Sequence, residues 1–190
     1  MACCILFRAN EAVLLTQICT ALAVEALKGH IESFHPLTYK VFPHIGHQEV
    51  ADNVRCLLEG SKLATLTLDM DTPDIEGTLK QDRYALRTAP QWLSPVIEIL
   101  KASCRRITVE LNSTSDNPII DHRTNTVISG GNFQGASISV AMDQARQALQ
   151  MCGKLLHAQF SEIVNHLLNN GLPPNVCGSL PDLDCGFKGW

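Results

Sequence analysis

The chain has 190 residues, 15 Lys and Arg against 19 Asp and Glu, and a formal net charge of −4. With 45% hydrophobic and 18% charged residues it lies outside the range of disordered chains, and its length suits one buried core, so residues 1–190 are expected to form a single helical domain. No Lys/Arg cluster offers a footprint for nucleic acid or anionic lipid, so no nucleic-acid partner is expected.

The apolar start, Met1 to Phe7, is too short for a secretory core, and Arg8, Asn10 and Glu11 argue against a membrane span, giving an expectation of a cytoplasmic protein with no membrane partner. From Ala9 to Lys28, residues Ala12, Val13, Leu15, Ile18, Cys19, Leu22, Ala23, Ala26 and Leu27 recur at helical spacing, and Gly29 is the expected stop. A loop with Pro36 and Pro43 leads to a second helix through Val50, Ala51, Val54, Leu57 and Leu58, closed by Gly60. Residues Leu66 to Gln81 lack an apolar period and read as an irregular, mobile surface connection.

Pro90 and Pro95 mark the start of a third helix, whose stripe is Val96, Ile97, Leu100, Cys104, Ile107, Thr108 and Leu111. The pairs Ile119-Ile120 and Val127-Ile128 flank a polar connection and predict a small hairpin. From Ser137 to Asn170 there is no proline, and Gly171 follows as a stop, so one helix on the order of 50 Å long is expected. That exceeds the diameter of a small domain, so its stripe of Leu149, Leu156, Phe160, Ile163 and Leu167 should need other subunits, unless Gly153 breaks it in two.

The fold class expected is therefore all-α, a long-helix bundle with one small hairpin. The eight cysteines (Cys3, Cys4, Cys19, Cys56, Cys104, Cys152, Cys177 and Cys185) are scattered without a Cys-x-x-Cys pair, and read as buried free thiols that bind no metal. The seven histidines show no ligand spacing, and there is no phosphate loop.

Two segments carry candidate chemistry. In Gln81-Asp82-Arg83-Tyr84-Ala85-Leu86-Arg87 a phenol stands among guanidinium groups. Nearby cations favour a phenolate and so a base at Tyr84, and the planar fork of Arg87 suits a carboxylate. From composition alone, surface ion pairs of Arg83 and Arg87 and a packed Tyr84 ring are the simpler account of the same residues. The second segment joins Thr114 to Pro118 with Gly130-Gly131-Asn132-Phe133-Gln134-Gly135 at the mouth of the long helix, where backbone can approach a ligand and an anion is favoured. Such strings also make ordinary turns.

Taken in order, Gln81, Asp82, Tyr84 and Arg87, then Asp116-Asn117-Pro118, then Gly130-Gly131-Asn132-Phe133-Gln134, resemble motifs of the aromatic amino-acid ammonia-lyases and related aminomutases. The resemblance continues through Gly153-Lys154-Leu155, Gln159-Phe160-Ser161-Glu162, Asn170-Gly171-Leu172-Pro173 and Phe187-Lys188-Gly189, and reaches back through Glu25 to Gly29 and His44 to His47, so that it covers essentially the whole chain. It fits the phenylalanine/tyrosine branch better than the histidine branch.

The resemblance implies that Tyr84 is the base or proton shuttle, Gln81 its hydrogen-bonding neighbour and Arg87 the carboxylate clamp. It also implies that Asn117 helps hold a small anionic or aromatic substrate, with Phe133 and Gln134 lining the pocket. It further implies a homo-oligomer, a tetramer or dimer, with active sites drawn from several subunits. The family's electrophile, a methylideneimidazolone (MIO), arises from an Ala-Ser-Gly triplet that this chain lacks; the nearest strings are Ile128-Ser129-Gly130 and Ala136-Ser137-Ile138. No MIO cofactor is therefore expected from this chain. The family's Asn-Gly-Thr segment is expected just before Met1, and further pocket residues after Phe187-Lys188-Gly189. Three readings follow: a truncated lyase-like core that does not eliminate ammonia alone, a small enzyme repurposed for cofactor-independent proton transfer, and a non-catalytic partner of a full-length lyase.

Overall fold

The computed structural model describes residues 1–65, 81–180 and 183–188. Of the connection expected over Leu66 to Gln81, residues 66–80 lie outside the described residues. The helices are α1 (Ala2–Ala26), α2 (Pro36–Val41), α3 (Ile45–Leu57), α4 (Tyr84–Arg87), α5 (Ala89–Leu111) and α6 (Ala136–Val164). Strands β1 (Ile119–Asp121) and β2 (Thr126–Ile128) form an antiparallel hairpin between α5 and α6, in the register Ile119 with Ile128 and Asp121 with Thr126. The all-α class and the hairpin are thus as the sequence predicts.

Helices α1, α3, α5 and α6 pack around one core. Along α6, Ala141, Ala145, Ala148, Cys152 and Leu155 are buried and face Leu93, Val96, Leu100 and Ile107 of α5. Small side chains let the two helices approach closely, and the Trp92 indole N–H fixes them by donating to the Met151 carbonyl at 2.8 Å. The approach of α3 to α5 is closer still. A Cβ on Gly46 would lie 2.3 Å from the Ser94 carbonyl oxygen, so only glycine fits there, and the Gly46 N–H donates to the Glu98 carboxylate at 3.2 Å.

Several boundaries differ from expectation. Helix α1 begins at Ala2, because Met1 to Phe7 is simply its first apolar turns. Its length and composition would by themselves let it cross a bilayer, which sets aside the argument from Arg8, Asn10 and Glu11. Its packed face is nonetheless hydrogen-bonded into the protein: Asn53 donates to Gln17 at 2.9 Å, and Gln159 donates to Thr20 at 3.0 Å. Helix α5 starts at Ala89 and runs straight through Pro95.

Helix α6 passes Gly153 unbroken and stops at Val164, six residues before Asn170. The Asn165 side chain accepts the Leu167 N–H at 3.0 Å and its carbonyl accepts the Leu168 N–H at 2.8 Å, so the asparagine offers the backbone a turn in place of another helical bond. The buried Asn169 side chain then donates to the carbonyls of Ile163 and Pro173, closing the turn back onto the helix.

The uncovered apolar stripe also lies elsewhere. Of the α6 stripe, only Leu167 is exposed, and it sits past the helix end; Leu149, Leu156, Phe160 and Ile163 are half-buried. The exposed stripe is on α1: Phe7, Leu14, Leu15, Ile18 and Leu22. That helix is apolar on both faces, so it hides one and leaves the other bare. The cysteines are free, but Cys3, Cys4, Cys19, Cys56 and Cys185 are exposed, Cys104 is half-buried, and only Cys152 and Cys177 are buried. The expectation of buried thiols fails chiefly because three of the exposed ones ride on the outer side of α1.

Candidate functional site

Tyr84 opens the one-turn helix α4 and Arg87 closes it. The Arg87 guanidinium carbon lies 5.2 Å from the centre of the Tyr84 ring, so phenol and cation share one turn as their spacing implies. Tyr84 is 71% exposed, and Gln81 is exposed just before it. Arg87, Thr88 and Gln91 form one wall of a shallow cleft of about 420 Å³, opposite Glu32, Ser33 and Thr38. Beneath it, the Gln91 amide donates to Nε2 of the fully buried His47 at 3.3 Å, and Thr38 Oγ1 approaches the same nitrogen at 3.3 Å. Burial holds the His47 imidazole below its ordinary value, with His44 adding to this and the Phe42 backbone opposing it.

A second set of residues gathers at the other end of α6. Asn117 Oδ1 accepts the Gly130 N–H at 2.8 Å, tying the Asp116-Asn117-Pro118 segment to the glycines. Gln134 Oε1 accepts the Ala136 N–H at 2.7 Å, capping an otherwise unsatisfied donor of the first helical turn. Gln134 is therefore committed to holding the helix end. Phe133 is 66% exposed.

The two sets do not meet. Gln159 Nε2 donates to the Ala85 carbonyl at 3.0 Å, which places Tyr84 and Arg87 beside the C-terminal part of α6, whereas Gln134 caps Ala136 at its start. From Ala136 to Gln159 the rise of about 1.5 Å per residue separates them by on the order of 35 Å. One copy of the chain thus presents Gln81, Tyr84 and Arg87 at one end and Asn117, Phe133 and Gln134 at the other.

One candidate escaped the reading of single residues. Glu162 lies one turn beyond Gln159, with its carboxyl raised above the usual range by burial; the positive charge of Arg83 opposes the rise and the carboxylate of Asp82 adds to it. A half-buried carboxyl on the Tyr84 side of the bundle is a second potential proton carrier. Its sequence signal was present in Gln159-Phe160-Ser161-Glu162, but nothing local to that string shows that Arg83 and Asp82 fold against it.

Over residues 1–190 the sequence matches the family model described as aromatic amino acid lyase. The chain belongs to the aromatic amino acid lyase family. It is 48% identical to a phenylalanine ammonia-lyase of Aspergillus hancockii over 97% of this chain and 26% of that protein. It is 42% identical to a phenylalanine aminomutase of Talaromyces islandicus over 96% of this chain and 26% of that one. The crystal structure of a phenylalanine ammonia-lyase from the yeast Rhodosporidium toruloides superposes with a TM-score of 0.93 at 42% identity, covering all of this chain and 28% of that one. The lyase-family chain thus spans about a quarter of the length of the curated relatives it matches.

Proposed function

We propose that this chain is the central helical part of an aromatic amino acid lyase and does not eliminate ammonia alone. The separation of Tyr84 and Arg87 from Asn117 and Phe133 by the length of α6 carries this reading, since neither end by itself surrounds a substrate. In a homo-oligomer the Tyr84 end of one copy would complete its site against the Phe133 end of another. Tyr84 would move a proton, Arg87 would hold the carboxylate of a small aromatic substrate, and Asn117 would orient it. The bare α1 stripe supplies the apolar surface for such an assembly, of two or four copies.

The Ala-Ser-Gly precursor of the MIO electrophile is not among the 190 residues, so on this reading the chain does not itself supply that group. Acid–base help alone contributes about 10²–10⁴ in rate, too little to expel an unactivated amine. The purified chain should therefore form no cinnamate or coumarate from phenylalanine or tyrosine. Ammonia release by protein free of a full-length lyase would overturn the reading.

A further inference from the structure

The Tyr84 turn is only four residues long, with Leu86 buried and the Tyr84 ring exposed, and its position is determined from three sides. Arg83 Nη1 donates to the Leu168 carbonyl at 3.1 Å, in the turn beyond α6. Gln159, in α6 itself, donates to the Ala85 carbonyl at 3.0 Å. The third hold is Asp82, at the end of α1. Its Oδ2 accepts the His30 backbone N–H at 2.6 Å and its Oδ1 pairs with His30 Nδ1 at 3.0 Å, so both carboxylate oxygens are taken by one residue. The Asp82 side chain is 10% exposed and that of His30 18%, a degree of burial that a carboxylate tolerates only when paired.

The site for this carboxylate is shaped as well as charged. A Cβ on Gly29 would lie 2.9 Å from Asp82 Oδ2 and 3.3 Å from its carboxyl carbon, so the glycine leaves the space that Asp82 fills. Directly after Gly29, the chain is fixed by the Thr65 N–H, which donates to the Gly29 carbonyl at 2.9 Å, and by the Ile31 N–H, which donates to the Thr65 carbonyl at 2.8 Å. The receptor for Asp82 is therefore braced by bonds that do not involve Asp82.

We propose that Asp82 is a positioning residue: clasped by His30 over Gly29, it sets where the Tyr84–Arg87 turn stands relative to α1 and α6. It contacts no reacting atom and acts through Tyr84 and Arg87. The inference rests on the proposed role of that pair, but the clasp itself is measurable without turnover.

Two readouts test it on the whole chain. The first is amide hydrogen exchange over residues 81–88. The second is fluorine NMR of protein labelled with 3-fluorotyrosine, which gives one signal for Tyr84 and one for Tyr39, the only tyrosines. Asp82→Ala should speed exchange over 81–88 by tenfold or more and move the Tyr84 signal toward that of free fluorotyrosine, with Tyr39 unmoved. Asp82→Asn, which keeps an acceptor oxygen for the His30 N–H, should recover most of the protection. Gly29→Ala should reproduce Asp82→Ala with the carboxylate still present.

His30→Ala removes only the ring contact, so it should give a smaller change, and it serves as the probe should Asp82→Ala fail to fold. Unchanged exchange over 81–88 in all the variants that fold would overturn the proposal. So would Tyr39 and Tyr84 signals that move together, the mark of general loosening. If the clasp signals appear while Tyr84→Phe proves harmless in every assembly that turns over substrate, the clasp stands and the catalytic reading of Tyr84 falls.

Discussion

Lys28 ends α1 in the left-handed backbone region, with φ of 52°. The Gly29 N–H reaches back to the Val24 carbonyl at 2.8 Å and the Lys28 N–H to the Glu25 carbonyl at 3.1 Å, the paired bonds of a Schellman ending. Glycine normally takes the position that Lys28 occupies, since a side chain there costs about 1–2 kcal/mol. Lys28→Gly should accordingly stabilise the chain by about 1 kcal/mol, read as a rise in urea midpoint at constant m-value. The sequence marks Gly29 as the helix stop, and it is one residue off for a physical reason: this glycine serves a tertiary demand, room for Asp82 from 53 positions away, while the stop is carried by a lysine under strain. A second residue-scale consequence concerns His47. Its folded-state affinity for a proton is depressed by burial, so on acidification the unfolded chain takes up a proton near pH 6.5 while the folded chain does not. Stability should hold above that value and fall as pH drops below it, until the lower folded-state value is reached. Urea unfolding at about pH 7.5 and about pH 5.5 should show the loss, and His47→Gln should flatten it.

At the scale of elements, α1 is the least self-sufficient. Its inner face buries Leu6, Ala9, Val13 and Val24, while Leu14, Leu15 and Leu22 are each more than half exposed. A helix written apolar all round is legible as buried, but the pattern does not say whether its own chain or another covers each side. That is why periodicity alone assigned the uncovered stripe to α6, whose length suggested it. Leu15→Asp with Leu22→Asp should dissociate the proposed assembly at micromolar concentration, because a carboxylate would be costly in an apolar seam formed there, while leaving the helical circular dichroism of the monomer intact. Light scattering that shows the unmodified chain already monomeric would refute the assembly. Leu156→Asp is a poorer probe than α6 periodicity suggests, since Leu156 is half-buried within the chain and its loss would also disturb the fold.

For the whole molecule, the hairpin and the long helices were legible because each is specified by local pattern: proline-free apolar periodicity over Ala136–Val164, and branched pairs flanking Asp121 to Thr126. The candidate residues were legible as strings, and their distribution over two ends of one helix was not, since no string encodes the distance between motifs. If the ends serve each other across copies, complementation should follow. Mixing this chain with a full-length relative whose tyrosine matching Tyr84 is replaced by phenylalanine should restore part of the lost turnover, and Tyr84→Phe in this chain should abolish the restoration. Arg87→Lys should leave some turnover at raised KM, because an ammonium cannot reproduce the two-pronged grip on a carboxylate. No recovery from any mixture, with mixed assemblies demonstrated, would count against a catalytic contribution by Tyr84.

Helix α6 runs without a break from the residues that Gln134 caps to those that hold the Tyr84 turn, and it therefore transmits angle as well as length. Each residue added to an α-helix advances it by about 1.5 Å and turns it by about a quarter of a revolution. One extra residue near Gly153 would turn everything beyond it relative to Ala136, taking Leu155 and Gln159 out of the facing they have toward the core and the Tyr84 turn. Seven extra residues would nearly restore the facing and instead push the ends roughly 10 Å further apart. The middle of α6 thus acts as a gauge whose phase is set to a whole residue.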